Sequence, residues 1–460
     1  MRLNIGALII ILLLHINTAF AASYDTDSSP TPAEVQTLIN NASSGDTIVF
    51  QGDATWASGI TVDKALTLNG NGHTLTAGGS LTRGLFEITG FAASSLMRIT
   101  GFTFQMVNWT PLRAIYVHDM LGGVSVGDIR IDHNTFHYGS EVISFYHGKG
   151  LIDNNYFYNP IIAITLDSGS RANADEAWES MAAGTADALF IEDNHFIADA
   201  NYTYAGTQEQ IGSENGGKLV IRYNDFDGTA TNAPEGLYEP IMTHGNAGLG
   251  SGGGAWTFYW QQNNVPRRGQ SVVEIYRNSI AANKLGTPIV LRGSANLVYD
   301  NTLTKISAVE PAILLREEEY DYEASGYIQR TAWPAEDQVH NSFLWNNTIN
   351  GSAIAVVSEP NADIGLQQNR DYFLHAPCGA SDSVDAYGNA CTHGKASFTG
   401  ANGASGSYPT DGETYPTEGT MVFTETGDNA YLDYTPYTYP HLLRGLGKHI
   451  SGGTVSGGIF

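Results

Sequence analysis

The sequence predicts an all-β fold, a right-handed parallel β-helix, and three observations support this prediction. A six-residue pattern recurs along the chain: an aliphatic residue, two mostly polar residues, Asn, a polar or small residue, and a large apolar residue. The repeating units are too short for helix pairs, and β-branched and aromatic residues occur in them at strand spacing. A second short apolar strand follows most copies. Repetition at about 20 to 50 residues is typical of solenoids and related arrays.

The Asn of this pattern predicts a column of stacked side chains at a turn. Asparagine tolerates a left-handed backbone, and its amide can hydrogen-bond to the same amide one coil away. Phe102 occupies the Asn position in an early copy at 99–104, and the segment 364–369 resembles the pattern once more. The residues at the Asn position of the other copies are Asn134, Asn155, Asn194, Asn224, Asn278, Asn301 and Asn347.

The second strand of each coil predicts another column, which points outward. Most of these strands carry a central Ile, for example Ile143 and Ile164. Side chains alternate across a strand, so the residue three places after an inward Ile should face solvent. Coils stack at about 4.8 Å, so neighbours in this outward column can contact one sugar or one metal ion. The outward column consists of His118, Tyr146, Asp167, Glu214, His244, Arg292, Arg316 and Val357.

Residues 1–21 have the organisation of a secretory signal peptide. Arg2 supplies the positive start, Ile5 to Leu14 form an apolar core, and Ala19 to Ala21 form a small-x-small cleavage site. The apolar run is too short to span a bilayer as a mature helix, and no other stretch is apolar enough. We therefore expect a soluble protein secreted to the periplasm or the medium, without membrane insertion.

Length and charge restrict the organisation and the partners of the chain. Repeat folds grow by adding coils, so 460 residues do not require several domains. We predict one β-helix domain at 22–374 and a loop-rich, aromatic C-terminal flap at 375–460 that packs back on it, and we expect a monomer. The net charge of −25 argues against nucleic-acid or anionic-membrane partners. An anionic glycan would need a local basic patch or a bridging cation.

The two cysteines of the chain, Cys378 and Cys391, lie in a loop rich in Pro, Gly and Asp. In an exported protein, two cysteines this close in sequence predict a disulfide. Neither cysteine lies in the register of the repeats, which disfavours a role as a metal ligand or nucleophile.

The N-terminal region predicts a cap for the open end of the solenoid. Residues 32–41 have the pattern of a short amphipathic helix, and the strands Gly45 to Phe50 and Ile60 to Gly70 follow it. This helix and strand pair resembles the entry to pectate-lyase-like right-handed β-helix proteins of bacteria. The resemblance covers about 32–369 and concerns the architecture. The W-x-D-H and R-x-P-x-x-R motifs of pectate lyases and the motif set of polygalacturonases are missing, so no catalytic residue is carried over.

Three long insertions begin directly beside the outward column, at 168–189, 245–273 and 317–343. Insertions on one face of a solenoid often mark its binding face, and loops on a rigid scaffold tend to carry function. Aromatic faces stack on sugar rings, and Arg forks bind carboxylates. We therefore predict a glycan groove whose substrate-binding residues are His118, Trp256, Trp260, Arg267, Arg268 and Tyr320.

The outward column contains each chemical group that β-elimination from a uronic acid needs. Arg292 and Arg316 can neutralise the carboxylate, which lowers the pKa of the C5 proton. His244, whose ordinary pKa lies near neutral, can serve as the base, and Tyr146 or His244 can protonate the leaving oxygen. The leading hypothesis is a secreted lyase acting on an acidic polysaccharide.

Other interpretations of the same residues stay open. Asp167 and Glu214 can share Ca²⁺, act as the carboxylate pair of a glycoside hydrolase, or belong to an acidic surface. His244 can be a solvated surface residue and Tyr146 an aromatic platform. Arg292 and Arg316 can pair with Glu317 or Glu274. A third class of function is a carbohydrate-binding or adhesive β-helix without catalysis.

Overall fold

The computed structural model describes most of the chain from residue 21 onward. The described residues are 21–79, 81, 83–92, 95–106, 113–117, 128–145, 148–167, 183–199, 201, 209–214, 217–229, 237, 239–243, 272–282, 286–293, 295–305, 311–316, 339, 341–354, 356–358, 366, 368–369, 371–379, 381–392, 398–399, 405–406 and 434–445.

The described chain is mostly β-structure, with one α-helix at its start and a short 3-10 helix, Leu442–Gly445, near its end. In chain order the elements are β1 (Ser23–Asp25), α1 (Pro32–Asn41), β2 (Thr47–Val49), β3 (Ala54–Trp56), β4 (Ile60–Val62), β5 (Thr67–Asn69), β6 (Thr74–Ala77), β7 (Gly84–Ile88), β8 (Leu96–Thr100), β9 (Thr103–Gln105), β10 (Arg113–Val117), β11 (Asp128–Asp132), β12 (Thr135–His137), β13 (Glu141–Phe145), β14 (Gly150–Asp153), β15 (Tyr156–Tyr158), β16 (Ile162–Asp167), β17 (Leu189–Glu192), β18 (His195–Ile197), β19 (Glu209–Glu214), β20 (Lys218–Arg222), β21 (Asp225–Asp227), β22 (Ile241–Thr243), β23 (Val272–Tyr276), β24 (Ser279–Ala282), β25 (Ile289–Arg292), β26 (Ala295–Tyr299), β27 (Thr302–Lys305), β28 (Ile313–Arg316), β29 (Ser342–Trp345), β30 (Thr348–Ile349), β31 (Ser352–Ala353), β32 (Val356–Ser358), β33 (Tyr372–Phe373), β34 (Phe398–Thr399) and β35 (Ser405–Gly406).

The strands form three long parallel sheets, which the chain visits from β2 to β33 in the order A, B, C, except that β30 and β31 both belong to sheet B. Strands that are equivalent in successive coils lie side by side, as a solenoid requires. Within the described residues, antiparallel pairing between strands occurs only at β30 with β31 and at β34 with β35. Sheet A contains β1, β2, β5, β8, β11, β14, β17, β20, β23, β26, β29 and β33; sheet B contains β3, β6, β9, β12, β15, β18, β21, β24, β27, β30 and β31; sheet C contains β4, β7, β10, β13, β16, β19, β22, β25, β28 and β32.

The predicted helix is confirmed with its predicted bounds, and it covers the first coil. Val35 and Ile39 of the helix are fully buried against the core of the solenoid. The side-chain amide of Gln36 satisfies the backbone groups of β4 that a neighbouring strand would otherwise bind. Its Nε2 donates to Thr61 O (3.0 Å) and its Oε1 accepts from Thr61 N (2.9 Å). Lys64 Nζ donates to three carbonyls at the helix end. The edge of sheet C is therefore satisfied at this end.

The interior is built from stacked identical side chains. The large apolar residue of the repeat pattern forms a ladder of parallel Phe rings on sheet B, with centroid separations of 4.5 to 5.0 Å. These rings are fully buried, and their spacing matches the spacing of parallel strands. The ladder consists of Phe104, Phe136, Phe157, Phe196 and Phe226.

The predicted Asn column is confirmed and lies at the turn between sheets A and B. Each Asn from Asn134 to Asn301 donates from Nδ2 to Oδ1 of the next Asn, at 2.8 to 3.1 Å. The same Oδ1 atoms also accept the backbone N–H of the preceding Asn. The column begins where Phe102 N donates to Asn134 Oδ1 (3.0 Å). All seven Asn residues are buried, so the column satisfies polar groups that water cannot reach.

The left-handed residue of this turn is not the Asn, as the sequence argument assumed, but the residue before it. His133, Asn154, Asp193, Tyr223 and Arg277 all have φ values of 55 or 56°. The Asn itself must point inward to reach the amide of the next coil, so the preceding residue makes the turn and faces solvent. Because that side chain lies outside the coil, the core does not restrict its type, and five different residue types occupy the position. Asp193 and Tyr223 contact the C-terminal segment 434–445 there.

The C-terminal segment Tyr434–Gly445, here called the strap, packs on the outer face of sheet A. Leu443 of the strap joins a second apolar cluster with Phe190, Tyr276 and Phe343 of sheet A. Earlier in the chain, after the last strand of sheet A, the predicted disulfide between Cys378 and Cys391 is confirmed, with a Cα–Cα distance of 6.2 Å.

Candidate functional site

The outward column of the sequence analysis maps to the carboxyl ends of the strands of sheet C. The Ile residues that define its register are paired across successive strands from Ile115 to Ile313. The same register pairs Asp167 with Glu214 and Arg292 with Arg316. The structure therefore brings together, on neighbouring coils, two carboxylate positions and, farther along the same edge, two guanidinium positions. We call this edge the sheet C rim.

Several predicted site residues lie outside the described residues. These are His118, Tyr146, His244, Trp256, Trp260, Arg267, Arg268 and Tyr320. His118, Tyr146 and His244 follow directly on described strands or residues of sheet C, namely β10, β13 and β22. For Asp167 and Glu214 the structure describes the backbone position.

One predicted member of the column is wrong. The sequence argument aligned Ile354 with Ile313 and so placed Val357 after Arg316. The structure instead pairs Val356 with Ile313 and Val357 with Leu314. The chain reaches sheet C two residues later than expected because Ser352–Ala353 folds back antiparallel to β30 on sheet B. The register of the rim therefore shifts after Arg316, and Val357 is not part of it.

One alternative partner for the rim arginines is also excluded. Glu274 lies on sheet A, where its Oε1 accepts from Gly184 N (2.8 Å) and its Oε2 accepts from the Tyr434 hydroxyl (2.6 Å). Burial raises the pKa of Glu274. Both oxygens of this carboxyl group are therefore bound on sheet A, by Gly184 and by Tyr434 of the strap, and not by Arg292 or Arg316.

The two rim arginines differ in burial. Arg292 is only 6% exposed, whereas Arg316 is partly exposed. The outer face of sheet C beside Arg292 is buried too, since Met242 and Val290 point away from the core but are 2% and 0% exposed. A guanidinium group in such a sheltered place interacts more strongly with a carboxylate than one in open water. Arg316 is the more accessible of the two.

Sequence reasoning missed a polar cluster at the opposite, amino end of the sheet C strands. The Arg113 guanidinium group forms an ion pair with Glu141, donates from Nε to Ser144 Oγ (2.8 Å), and lies 5.1 Å from the ring centre of Tyr116. Arg113 and Glu141 each stand two residues before the inward Ile of their strand, so the repeat alignment could have found them. The outward column of this face then changes to the small residues Thr165 and Gly212.

Two hydroxyl groups on sheet C point into the apolar interior. Ser213 and Thr243 are paired in register between Leu166 and Leu291, and they are 0% and 1% exposed. Neither hydroxyl has a hydrogen-bond partner among the described residues. An unsatisfied buried hydroxyl costs about 1 to 3 kcal/mol. Ser213 directly precedes Glu214 in the chain, and Thr243 directly precedes His244. Both hydroxyl groups therefore lie next to the sheet C rim.

Replacing Thr243 with Val should therefore stabilise the protein, because Val has the same shape without the unsatisfied hydroxyl. We expect the free energy of unfolding to rise by about 1 kcal/mol in denaturant titrations. Thr304→Val, at an exposed position of sheet B, is the matched control and should change stability by less than about 0.5 kcal/mol. A Thr243→Val protein less stable than wild type would show that the hydroxyl is bonded.

Among the described residues, the potential metal ligands that lie close together are those of His375, Cys378 and Cys391, whose ligand atoms are within 4.8 Å of one another. The two sulfur atoms are joined in the disulfide, so no thiolate is present to bind a metal. His375 is buried, with Nδ1 2.7 Å from Ala376 O and Nε2 accepting from Thr392 N (3.0 Å). This cluster anchors the loop.

Within the described part of the chain, no helix is both long enough and apolar enough to cross a membrane. Comparisons of the chain with protein-family models, with curated proteins and with solved structures found no match.

Proposed function

We propose that the protein is a secreted lyase that cleaves an acidic, uronate-containing polysaccharide at the sheet C rim. The fold that we infer for it is a right-handed parallel β-helix of pectate-lyase-like architecture, in agreement with the three long parallel sheets. The observation that carries the proposal is the register of the rim. Residues distant in sequence, Asp167 with Glu214 and Arg292 with Arg316, occupy neighbouring coils on one edge.

β-Elimination at this rim requires charge neutralisation before proton transfer. Arg292 and Arg316, one coil apart, can both contact the carboxylate of one uronate, which stabilises the negative charge that develops at C5. His244 then takes the C5 proton, a C4–C5 double bond forms, and the C4–O bond breaks. His244, once it has been protonated, then gives a proton to the leaving oxygen. Tyr146 follows β13, which lies three strands from β22 in sheet C, about 14 Å away, so it would contact a neighbouring part of the polymer and not this oxygen. The sheltered position of Arg292 strengthens the electrostatic contribution.

The carboxylate positions of the rim have the chemistry that calcium prefers. Ca²⁺ is coordinated by carboxylate, carbonyl and water oxygens, and Asp167 and Glu214 stand in register on adjacent coils. These two residues would hold the ion, which would supply additional positive charge toward the uronate. Two carboxylates alone leave most of the coordination positions to carbonyl groups, water or substrate.

Export fits two features of the described chain. Cleavage after Ala21 would leave the new α-ammonium group at Ala22, whose nitrogen lies 2.7 Å from Asp46 Oδ1. Asp46 is buried, so a charged partner would be favourable there. The disulfide between Cys378 and Cys391 also agrees with an oxidising compartment.

The direct test is an assay of the mature protein on alginate, pectate, glucuronan, glycosaminoglycans and neutral glycans. A lyase produces unsaturated uronate ends, which absorb in the ultraviolet. New reducing ends without this absorbance would support the glycoside hydrolase instead, with Asp167 and Glu214 as the carboxylate pair. Glycan retention without any cleavage would support a carbohydrate-binding or adhesive protein and would contradict the proposed catalysis.

A further inference from the structure

The strap crosses the outer face of sheet A in the direction opposite to the growth of the solenoid. Its first residue, Tyr434, contacts Glu274 and Tyr299, whereas its later residues contact coils nearer the N-terminus, such as those of Arg130 and Asp153. The strap has no strand partner, and its only regular element is the 3-10 helix. Side chains of sheet A, and not a backbone ladder, therefore hold it in place.

Two buried arginines of sheet A clamp the backbone of the strap. Arg222 donates from Nη1 to Tyr437 O (2.6 Å) and from Nη2 to Thr438 O (2.9 Å), while its Nε donates to Glu192 Oε2 (2.7 Å). Arg130 donates from Nη1 to the carbonyl groups of both Leu443 and Arg444, at 3.3 and 3.2 Å. Its other nitrogens bind Asp153.

The strap contributes one charged side chain, Arg444, to the outer face of sheet A. Arg444 forms ion pairs with Asp153 (3.2 Å), with Glu192 (2.8 Å) and with Asp193. On successive strands of sheet A the carboxylates of Asp153 and Glu192 are followed by Arg222, and Arg444 supplies positive charge to both carboxylates. Such a network is favourable only while each member keeps its partners, because removing one leaves the others charged and buried.

His441 stands at the centre of this network and is only 5% exposed. Its backbone N–H donates to Glu192 Oε1 (3.0 Å), and its Nδ1 accepts from Leu443 N (3.1 Å). The ring packs on Phe190 and Tyr437, with centroid distances of 4.4 and 5.0 Å. An Nδ1 that accepts a hydrogen bond carries no proton, so this geometry requires the neutral imidazole.

The strap also holds the end of the first long insertion. Gly184, with φ of 75°, lies against the strap so closely that an added Cβ would be 2.2 Å from Thr435 O. Its N–H donates to Glu274 Oε1, while the Tyr434 hydroxyl donates to the other oxygen of the same carboxyl group. The insertion begins directly after Asp167 at the sheet C rim. The strap therefore contacts the end of the segment that leads from sheet C to sheet A.

We propose that the strap is an acid-released latch, in which protonation of His441 undocks residues 434–445 from sheet A and frees residues 183–188, the described end of the first long insertion. Protonation at Nδ1 removes the acceptor of the Leu443 N–H and adds a fourth positive charge to those of Arg130, Arg222 and Arg444. The solenoid beneath keeps its own Asn and Phe ladders, which the strap does not contribute to. This device operates whether or not the sheet C rim is catalytic.

The electrostatic surroundings of His441 give the direction of the pH dependence. Burial, and then the charges of Arg222, Arg444 and Arg130, lower the pKa of His441 from 6.5 to about 4. On its other side, the carboxylate of Glu192 is shared with Arg222 and Arg444, and Asp153 is bound by Arg130 and Arg444. The docked strap thus binds fewer protons than the undocked strap between these two values. Docking is complete above pH 6.5 and weakens as the pH falls toward 4.

The test is hydrogen exchange of the full-length protein, measured by mass spectrometry on a peptide covering 434–445. Protection factors, which remove the intrinsic pH dependence of exchange, should fall roughly tenfold per pH unit between about pH 6 and pH 4.5. The N–H groups of His441 and Leu443 in this peptide, and that of Gly184 in a second peptide covering 183–188, report on docking. A peptide around Asn224 should keep its protection throughout.

His441→Gln keeps a neutral hydrogen-bond acceptor but cannot titrate, so its strap should stay protected over the same pH range. His195→Gln, at a partly exposed position on sheet B, is the matched control and should behave like wild type. If His441→Gln fails to dock at neutral pH, His441→Phe retains the ring that packs on Phe190.

A wild-type strap that is equally protected at about pH 7 and pH 4.5 would overturn the proposal. Release in the non-titrating variant at the wild-type pH would assign it to the carboxylates and would overturn it equally. So would a protection factor that stays constant from pH 6.5 to about pH 4.5, because the undocked histidine takes up its proton in that range.

Discussion

Under the proposed lyase function, replacing Arg316 with Ala is expected to lower kcat/KM on a uronate-containing polysaccharide by about 10² to 10³-fold. Arg316 is the accessible member of the arginine pair on the sheet C rim, in register with the sheltered Arg292. Charge on the substrate carboxylate and at C5 grows toward the transition state, so losing one guanidinium group raises the barrier. The measurement is the initial rate of unsaturated-uronate formation over a range of substrate concentrations.

Arg277→Ala is the matched control, because Arg277 is largely exposed at the turn between sheets A and B. It should retain wild-type kcat/KM, and both variants should unfold near the wild-type temperature. Arg316→Lys restores the charge but not the bidentate fork, so it should recover only part of the activity. If Arg316→Ala cleaves as well as wild type, the rim arginines do not neutralise the substrate.

Replacing Asn224 with Ala should lower the free energy of unfolding by about 3 to 5 kcal/mol. Asn224 Oδ1 accepts from both the backbone N and Nδ2 of Asn194, at 3.0 and 3.1 Å. Its Nδ2 donates to Ile191 O and Arg222 O as well as to Asn278. Alanine would leave several of these buried groups without a partner. Denaturant titration followed by circular dichroism measures the loss.

Asn201→Ala is the control for this change, since Asn201 is exposed and its side chain lies outside the Asn column. Its effect should stay within about 0.5 kcal/mol. An Asn224→Ala protein that loses less than about 1 kcal/mol would mean that water replaces the missing amide inside the turn.

The candidate site could be predicted from the sequence only as far as the repeat extends. Counting from the inward Ile correctly aligned Asp167 with Glu214 and Arg292 with Arg316, because a side-chain period of two leaves no freedom once the register is known. The same counting failed at Val357, where a short antiparallel turn on sheet B adds two residues before the chain reaches sheet C. The Arg113 and Glu141 pair lies at the amino end of the strands, two residues before the inward Ile, and the predicted column covers only the carboxyl end.

The sequence by itself determined the stacked parallel strands, the buried Asn and Phe columns, the N-terminal helix and the disulfide. Each of these follows from local spacing that repeats, or from residues close in the chain, so no long-range information is needed. Only the tertiary structure decided which face the strap covers, since Arg222 and Tyr437 meet across a sequence separation of 215 residues without any repeated signal. It also decided which residue of the turn takes the left-handed backbone. The hydrogen bonds that hold each Asn side chain inward join different coils, so they exist only when the coils are stacked.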